Sequence, residues 1–295
     1  MDDKRVANRF DNYEHNHCWQ YDIRLNNRVD DLKRSGLTED QVQNLKVGDF
    51  IMGFEDKSIV WDEVKDFIER HEWLGKMGLY PTHIFTARYN GILAGVLSFD
   101  MPNAFSKMLG EDTKKIERLI GRGACISWSP KCLGSAMIGA AIREMVKTTP
   151  YRLFTAYSDV EAKELGTIYQ ACNFYYLGQK SGSGYQYKIR DDKWVSDRYF
   201  RSRSVYKKMA KKDGIEWNKE WQKGDRVFFD LMPNDIATRI RELSKEYQES
   251  CEKRKLVSKH KYAYVLGSSK KETKELRKLF EQRNKTYKYP KNRGK

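Results

Sequence analysis

Apolar and polar positions follow two different periods along the first two thirds of the chain. Apolar residues at helical spacing predict a helix over Ser58–Leu74 and a second over Ser135–Val146. Two β-rich runs, His83–Tyr89 and Ile92–Phe99, flank Asn90-Gly91, and this dipeptide between such runs is typical of a tight hairpin. Because strands and helices alternate, we expect an α/β fold with a mixed central sheet flanked by helices.

Two further strands are predicted at Arg122–Trp128 and Tyr151–Tyr157. The second strand ends in Ser158-Asp159 and leads through a polar loop to a short helix that carries Tyr169. Sheets of α/β proteins place ligands beyond the carboxyl ends of their strands. Asp159 therefore lies at a candidate binding edge, although a helix cap or a loop turn would explain an aspartate there equally well.

Strand signals fade after about residue 190, and basic helical patterns follow. Helices are predicted over Asn234–Arg254 and Ser269–Arg283, with one strand-like run, His260–Leu266, between them. We therefore predict three parts: an N-terminal helical segment over residues 1–50, an α/β domain over 51–190, and a basic, mostly helical C-terminal extension over 191–295.

The formal net charge of +15 is concentrated late in the chain. From Lys188 onward there are 32 Lys and Arg against 16 Asp and Glu, whereas the preceding residues hold 24 and 25. A basic extension on a near-neutral domain predicts a polyanionic partner, most simply nucleic acid. The alternative is a solvated basic helix that only aids solubility.

The densest basic run comprises Arg198, Arg201, Arg203, Lys207 and Lys208. Large aromatic residues are interleaved with the charge in this region: Trp194, Tyr199, Phe200, Tyr206, Trp217 and Trp221. Solubilising segments do not need large apolar rings, whereas surfaces that bind a nucleic-acid backbone and stack bases use them. We therefore predict that this basic run contacts nucleic acid, with a solvated face as the alternative.

The sequence also indicates the cellular compartment of the protein. No run approaches the roughly 18 apolar residues of a membrane span, and Met1–Arg5 contains no apolar signal segment. The five cysteines are widely spaced, which favours neither a disulfide framework nor a zinc site. We expect a cytoplasmic protein with no membrane partner.

The segment Ile126–Met137 joins a predicted strand to a predicted helix and contains Lys131, Gly134 and Ser135. This order of elements resembles the GNAT acyltransferase superfamily, in which the helix N-terminus at this point holds the pyrophosphate of coenzyme A. The resemblance implies acetyl-CoA as cofactor and a binding role for Lys131, Gly134, Ser135 and Ala136. Of the family pattern Arg/Gln-x-x-Gly-x-Gly, only Gly134 is present.

A second resemblance rests on motifs spread over the chain: Arg70–Gly75, Arg122–Cys125, Ser135, Tyr157–Asp159, Gly166–Cys172 and Lys288–Lys291. These motifs are similar to those of the Mom-like DNA-modification proteins of phages, a subgroup of the same superfamily. The resemblance implies an enzyme that converts adenine in double-stranded DNA to an N6-carbamoylmethyl form and so hides the DNA from restriction nucleases. It also implies acetyl-CoA as donor, iron as a further cofactor, and the host cytoplasm as location.

The same resemblance implies catalytic roles for Tyr169, Asp159, Arg122 and His71, and metal binding by His71 and Asp159. Tyr169 would protonate the departing thiolate, or would simply pack its helix on the sheet. Arg122 lies in an otherwise apolar strand, so it contacts a phosphate or substrate, or else forms an internal ion pair. His71 is followed by Glu72 where the family has an aromatic residue, and a structural role is its alternative.

Two other functions are compatible with the sequence. One is a CoA-dependent N-acetyltransferase that acts on another amine, such as a protein, tRNA or an already aminated DNA base. The other is a DNA-binding protein that has the fold but no catalytic activity.

Overall fold

The structure is a computed structural model that describes residues 18–78, 81–102, 104–181, 184–190 and 193–291. The chain forms two compact units. The first unit comprises Met1–Ser181 and Ser258–Lys295, and the second comprises Gly182–Val257. The chain thus leaves the first unit after Ser181 and returns to it at Ser258.

The strands are, in chain order, β1 (Ile51–Glu55), β2 (Pro81–Tyr89), β3 (Ile92–Asp100), β4 (Glu117–Cys125), β5 (Leu153–Ser158), β6 (Tyr175–Ser181), β7 (Tyr185–Arg190), β8 (Lys193–Ser196), β9 (Gln222–Lys223), β10 (Arg226–Val227), β11 (Glu252–Lys255) and β12 (Lys259–Val265). The α-helices are α1 (Trp19–Asn26), α2 (Arg28–Ser35), α3 (Glu39–Val42), α4 (Lys57–His71), α5 (Leu133–Thr148), α6 (Thr167–Ala171), α7 (Arg203–Lys212), α8 (Asn234–Glu249) and α9 (Lys270–Arg283).

The first unit is built on a seven-stranded sheet in the order β1-β2-β3-β4-β5-β12-β6. Neighbouring strands are antiparallel except β4 and β5, which run parallel. This is the mixed sheet flanked by helices that the sequence predicts, so the predicted fold class is confirmed.

The two long helices α4 and α5 bury apolar stripes in one continuous core with the sheet. Phe67 of α4 and Met137 and Ile142 of α5 belong to the same buried cluster as Phe85 and Phe99 of the sheet. Each such side chain stabilises the fold by roughly 1.5–3 kcal/mol relative to its exposed state. This packing explains why helical periodicity predicted both helices to within a few residues.

The hairpin between β2 and β3 is confirmed at Asn90-Gly91. Both residues have positive φ, 48° and 81°, as a two-residue turn of this hand requires. The strand predicted at Arg122–Trp128 instead spans Glu117–Cys125. Its start was hidden because Glu117 and Arg118 are charged yet buried. Glu117 accepts hydrogen bonds from the Ser106 amide and the Thr155 hydroxyl, so its burial is compensated.

The boundary of the first unit differs from the one predicted at residue 190. The strand-like run of the predicted extension is β12, which lies between β5 and β6 and pairs with both. Its two faces are both buried, through Tyr262 on one side and Val265 on the other. Phe280 of α9 packs in the cluster that contains Val265. Residues 259–283 therefore complete the sheet and its core rather than extend from them.

The second unit has a three-stranded antiparallel sheet in the order β11-β7-β8, together with α7 and α8. Strands β7, β8 and β11 were not predicted, and the helix predicted over Asn234–Arg254 ends at Glu249 because β11 follows. Tyr206, Trp221 and Ile240 form a small core here. Aromatic residues that the sequence assigned to a nucleic-acid surface are therefore partly core residues of this unit.

Helices α1, α2 and α3 agree with the predicted N-terminal helical segment, of which residues 1–17 lie outside the described part. Among the residues that the structure describes, no helix combines the length and the apolar character that crossing a membrane requires.

Candidate active site

A cleft opens where two neighbouring strands of the central sheet stop pairing. The parallel ladder of β4 and β5 runs only from Glu117 opposite Leu153 to Leu119 opposite Thr155. Beyond it lies a cavity of about 600 Å³, whose walls include residues 119–125 of β4 and 157–159 at the end of β5. Concave sites at the carboxyl ends of strands are the usual ligand sites of α/β sheets.

Tyr169 lines this cleft from the short helix α6. Its ring packs against Phe174 and Tyr262, with centroid distances of 5.4 Å in both pairs. Burial, reinforced by the nearby carboxyl of Glu164, raises the pKa of the Tyr169 phenol well above its ordinary value. Among the described residues its hydroxyl has no hydrogen-bond partner, so the neutral phenol is available as a proton donor.

Glu164 is a cleft residue that the sequence analysis missed. Burial, together with the carboxylates of Glu72 and Asp159, raises the pKa of Glu164 to about 7, although the Asp159 amide donates to its Oε2 at 3.3 Å. A carboxyl of this kind is part ionised at neutral pH and can accept a proton. It follows Glu161 and Lys163 in what looks like an exposed loop, so no local pattern marks it as buried.

Asp159 also lines the cleft, and both of its oxygens are engaged. Oδ1 accepts from the Glu161 amide at 3.0 Å, which makes the predicted loop turn. Oδ2 lies 2.8 Å from Nζ of Lys259, the first residue of β12. Lys259 lines the cleft as well, and its distance along the chain is why the sequence did not reveal it.

Arg122 lines the cleft and forms the internal ion pair that was one of its two predicted roles, whereas contact with a phosphate or substrate stays a prediction. Its guanidinium lines the cleft, and its side chain is 27% exposed. Nε donates to the Lys76 carbonyl at 2.9 Å, and Nη1 lies 4.0 Å from Oε1 of Glu72. Glu72 Oε2 accepts from the amides of Leu74 and Gly75, so the residue that replaces the expected aromatic ends α4 and faces the cleft.

His71 lies outside the group of cleft residues and is 2% exposed. Its Nδ1 donates to the Phe67 carbonyl, and its Nε2 lies 2.9 Å from Oδ1 of Asp31. Burial favours a higher pKa for Asp31, but hydrogen bonds from His71 and Ser127 outweigh it and lower the pKa. Because Asp31 Oδ2 also accepts from the Ser127 amide, the pair braces the loop before α5.

Iron, which the resemblance implies, does not fit the residues present. Both ring nitrogens of His71 and both carboxylate oxygens of Asp159 are already engaged in the protein. Within the described ranges no three His, Cys, Asp or Glu side chains are grouped so that they could hold a metal ion. His71 and Asp159 therefore do not form the metal site that the resemblance implies.

The four residues predicted to bind the cofactor are brought together at the start of α5. Lys131 and Gly134 line the cleft, whereas Ser135 and Ala136 line an adjoining cavity of about 390 Å³. Cys132 holds the N-cap position of α5, and the Ser135 hydroxyl donates to the Cys132 carbonyl at 3.0 Å. No side chain caps this 16-residue helix, but its first amide, of Leu133, donates to the Pro130 carbonyl at 3.0 Å. The next two amides, of Gly134 and Ser135, are therefore the ones that can face an anion.

The loop that precedes α5 is held by the N-terminal helices. Arg24 and Arg28 donate to the Ser127 carbonyl at 3.1 and 3.0 Å. Trp128 is 2% exposed and donates to the Ser35 hydroxyl. The segment predicted as a separate helical part therefore fixes the start of α5 in position.

Ser158 provides a further polar group at the cleft. Its side chain is 2% exposed, and among the described residues its hydroxyl has no hydrogen-bond partner. A buried hydroxyl without a partner costs about 1–3 kcal/mol.

The arginines of the predicted nucleic-acid run lie in the second unit and are partly neutralised there. Arg201 forms an ion pair with Asp197, and Arg203 lies 3.1 Å from Asp225. Among the described residues Arg198 forms no ion pair. Of the three arginines, Arg198 alone is therefore uncompensated within the ranges that the structure describes.

The lysines of the same run lie over aromatic rings. Lys207 Nζ is 5.8 Å from the ring centroid of Trp217, and Lys208 Nζ is 5.4 Å from that of Tyr247. These distances are within the range of cation–π attraction. The interleaved aromatic residues thus interact with the charge of this unit, and their predicted stacking on bases stays a prediction.

Several solved acetyltransferases are similar to this chain. One from Elizabethkingia anophelis with acetyl-CoA bound is 10% identical, with 74% of this chain and 99% of that chain covered and a TM-score of 0.35. One from Bacillus subtilis in complex with CoA is 12% identical (74% and 97% covered, TM-score 0.32). An N-acetyltransferase from Staphylococcus aureus is 14% identical (49% and 92% covered, TM-score 0.32).

No curated protein sequence is significantly similar to this chain. A model of the Mom protein family, by contrast, matches residues 57–291, which is well over half of the chain. The match includes the β4–α5 loop, the cleft residues from Glu72 onward and the inserted unit. The chain therefore belongs to the Mom protein family.

Proposed function

We propose that this protein transfers a group derived from acetyl-CoA to N6 of adenine in double-stranded DNA. The observation that carries the proposal is the cleft between β4 and β5, in which a proton acceptor, a proton donor and an uncapped helix start face one cavity. Membership of the Mom family supports the same chemistry.

The start of α5 would hold the phosphates of the donor. The amides of Gly134 and Ser135 and the helix dipole favour negative charge, and Lys131 adds a cation beside them. Acetyl-CoA would supply the activated acyl carbon.

Glu164 and Tyr169 would move the protons of the transfer. As the amine nitrogen bonds to the acyl carbon it loses a proton, and Glu164 accepts it. As the carbon–sulfur bond breaks, Tyr169 gives its proton to the sulfur. One proton leaves the amine and one reaches the thiol, so acyl transfer to nitrogen is balanced by these two side chains.

The acceptor must be unstacked before it can react. Adenine N6 is paired inside the duplex, and extruding the base costs a few kcal/mol. Arg24, Arg122 and Lys259 line the cleft and would attract the backbone on either side of an extruded base. A modified N6 would no longer match the contacts of a restriction nuclease, so we propose protection of phage DNA as the use of the reaction.

The test is mass spectrometry of nucleosides from plasmid DNA isolated after expression of the protein. We expect a heavier deoxyadenosine, whose mass distinguishes an N6-acetyl from an N6-carbamoylmethyl group. Tyr169→Phe should lower the rate at which the modified deoxyadenosine forms by about 10²–10⁴-fold. Tyr185→Phe removes a hydroxyl from an exposed tyrosine of the second unit and should have no effect.

An unchanged nucleoside profile with a folded, soluble protein would contradict the DNA proposal. If labelled acetyl groups then appeared on protein or RNA amines, the acyl transfer would stand with a different acceptor. DNA binding without any product would instead favour the catalytically inactive alternative.

A further inference from the structure

The positive charge of the chain is concentrated away from the run that the sequence singled out. From Ser258 onward the chain holds 13 Lys and Arg against three Asp and Glu, whereas Gly182–Val257 holds 19 against 13. The larger excess therefore belongs to the returning segment that forms β12 and α9. This segment is part of the first unit, which also contains the cleft.

Part of that charge lines a groove between α5 and α9. The groove has a volume of about 780 Å³ and is lined by the loop after β12 and by one face of each helix. Its basic residues are Arg143 and Lys147 of α5 and Lys270, Lys274, Arg277 and Lys278 of α9. The only carboxylate among its described lining residues is Glu281, which accepts a hydrogen bond from the Tyr175 hydroxyl.

The spacing of these residues puts the charge on facing stripes. Lys270, Lys274 and Lys278 are four residues apart on α9, and Arg143 and Lys147 are four apart on α5, so each set lies along one helical face. Among the described residues none of the six basic side chains of the groove forms an ion pair. Six cations that share a groove with a single described carboxylate, Glu281, repel one another and destabilise the folded state.

A bound polyanion would relieve this repulsion, and the length of the stripe indicates which kind. From Lys270 to Lys278 the axis of α9 rises by about 12 Å at 1.5 Å per residue. Phosphates along one DNA strand rise by about 3.4 Å each, so the stripe spans roughly three or four of them. A single phosphate group would need only one or two of these cations.

We propose that the groove between α5 and α9 binds the phosphate backbone of duplex DNA, and that it is the main electrostatic contact of the first unit with its substrate. The proposal rests on the proposed function for the identity of the polyanion. It adds a binding surface outside the cleft, on residues that carry no part of the acyl transfer.

The experiment measures the affinity of the full chain for a fluorescent DNA duplex by anisotropy over a range of salt concentrations. The groove variant is Lys270→Ala/Lys274→Ala/Lys278→Ala. The control, Lys33→Ala/Lys115→Ala/Lys271→Ala, removes the same charge from exposed lysines outside the groove. All six side chains are exposed, and melting curves of both variants would verify folding.

For the groove variant we expect the slope of log K against log salt to become shallower by about two to three, at roughly one phosphate contact per lysine. The control should keep the slope of the unsubstituted protein. Replacing the three groove lysines by arginine should restore it, because the charge is kept. Acetyl-CoA affinity should be the same in all variants.

Equal slopes for the groove variant and the control would overturn the inference, as would absence of DNA binding by the unsubstituted protein. A weaker affinity for acetyl-CoA with an unchanged DNA slope would also overturn it and would assign the groove to the donor. The outcome is independent of catalysis. A shallower slope without any modified nucleoside would support the groove while contradicting the proposed reaction.

Discussion

At the scale of single residues, one environment has opposite chemical consequences for two side chains of the cleft. Burial raises the pKa of Glu164 to about 7, and it raises the pKa of Tyr169 further above neutrality. Glu164 therefore exchanges its proton near neutral pH, whereas Tyr169 keeps its own. A partly enclosed site can thus hold a base and an acid together without a metal ion or cofactor to shift their pKa values.

The raised pKa of Glu164 makes stability depend on pH. Because its folded-state pKa lies above the ordinary 4.5, its contribution is present in full below about pH 4.5 and is lost as pH rises through about 7. At 1.36 kcal/mol per pKa unit the loss is about 3 kcal/mol at most. In urea unfolding we expect Glu164→Gln to gain stability relative to the unsubstituted protein at pH 8 but not at pH 4.

Glu161→Gln is the matched control, since it removes an exposed carboxyl three residues away. It should change stability by less than about 0.5 kcal/mol at either pH. A gain for Glu164→Gln that is the same at pH 4 and pH 8 would show that the carboxyl is not perturbed.

The buried pair of His71 and Asp31 leads to a second prediction. Removing one partner of such a pair leaves an uncompensated buried group and costs about 3–5 kcal/mol. We expect His71→Ala to lower the unfolding free energy by this amount while the fraction that stays folded keeps its rate of product formation. Tyr169→Phe should do the reverse, with near-normal stability and a lost rate.

The two variants are compared by urea unfolding and by the rate per folded molecule at low temperature. A stable His71→Ala protein without activity would contradict the structural role and would restore the catalytic one implied by the resemblance.

The sequence indicated Tyr169, Asp159 and Arg122 through its resemblance to the Mom-like proteins, and the structure places all three at the cleft. The sequence could not place Lys259, which reaches the cleft on a strand from the far part of the chain. Nor could it show that His71 is structural, since its partner Asp31 lies on another helix. Local periodicity reveals elements, whereas contacts between distant elements depend on the assembled fold.

At the scale of elements, the short helix α6 depends on the glycine before it. Gly166 has a φ of 65°, and a Cβ there would lie 2.4 Å from Cε2 of Tyr262 and 2.5 Å from Oγ of Ser158. The chain can therefore approach Ser158 of β5 and Tyr262 of β12 this closely only without a side chain at this position. Tyr169 is placed three residues later by that passage.

Gly166→Ala should therefore destabilise the protein by more than the roughly 1 kcal/mol that alanine costs at a backbone position with positive φ. It should also lower the rate of product formation, because it would move Tyr169. Gly91→Ala is the control, because Gly91 has a φ of 81° but nothing within 4 Å of an added Cβ. Thermal unfolding of both variants tests this. Equal losses of stability would mean that the contacts with Tyr262 and Ser158 do not matter.

At the scale of the whole molecule, the second unit is an insertion between neighbouring strands. Ser181 at the end of β6 is paired with Lys259 at the start of β12. The two ends of the insertion are thus as close as the ends of a hairpin. The predicted division at residue 190 failed because the charge increase and the boundary of the fold occur at different places in the chain.

We expect a variant in which residues 182–257 are replaced by an Asn-Gly turn to fold with its central sheet intact. A chain that stops at Val257 should not fold, because β5 and β6 would lose the strand between them. Circular dichroism and cooperative thermal unfolding distinguish the two. Cooperative melting of the shortened chain, or none in the hairpin variant, would contradict this account of the sheet.

The position of β12 also has a consequence for how the protein is made. Ser158 of β5 pairs with His260 of β12. Strands β5 and β6 therefore keep unpaired edges until the ribosome has synthesised the whole inserted unit and then β12. At 5–20 residues per second this interval is on the order of ten seconds. Open strand edges can pair with other chains, so we expect the nascent protein to aggregate more readily than the finished one.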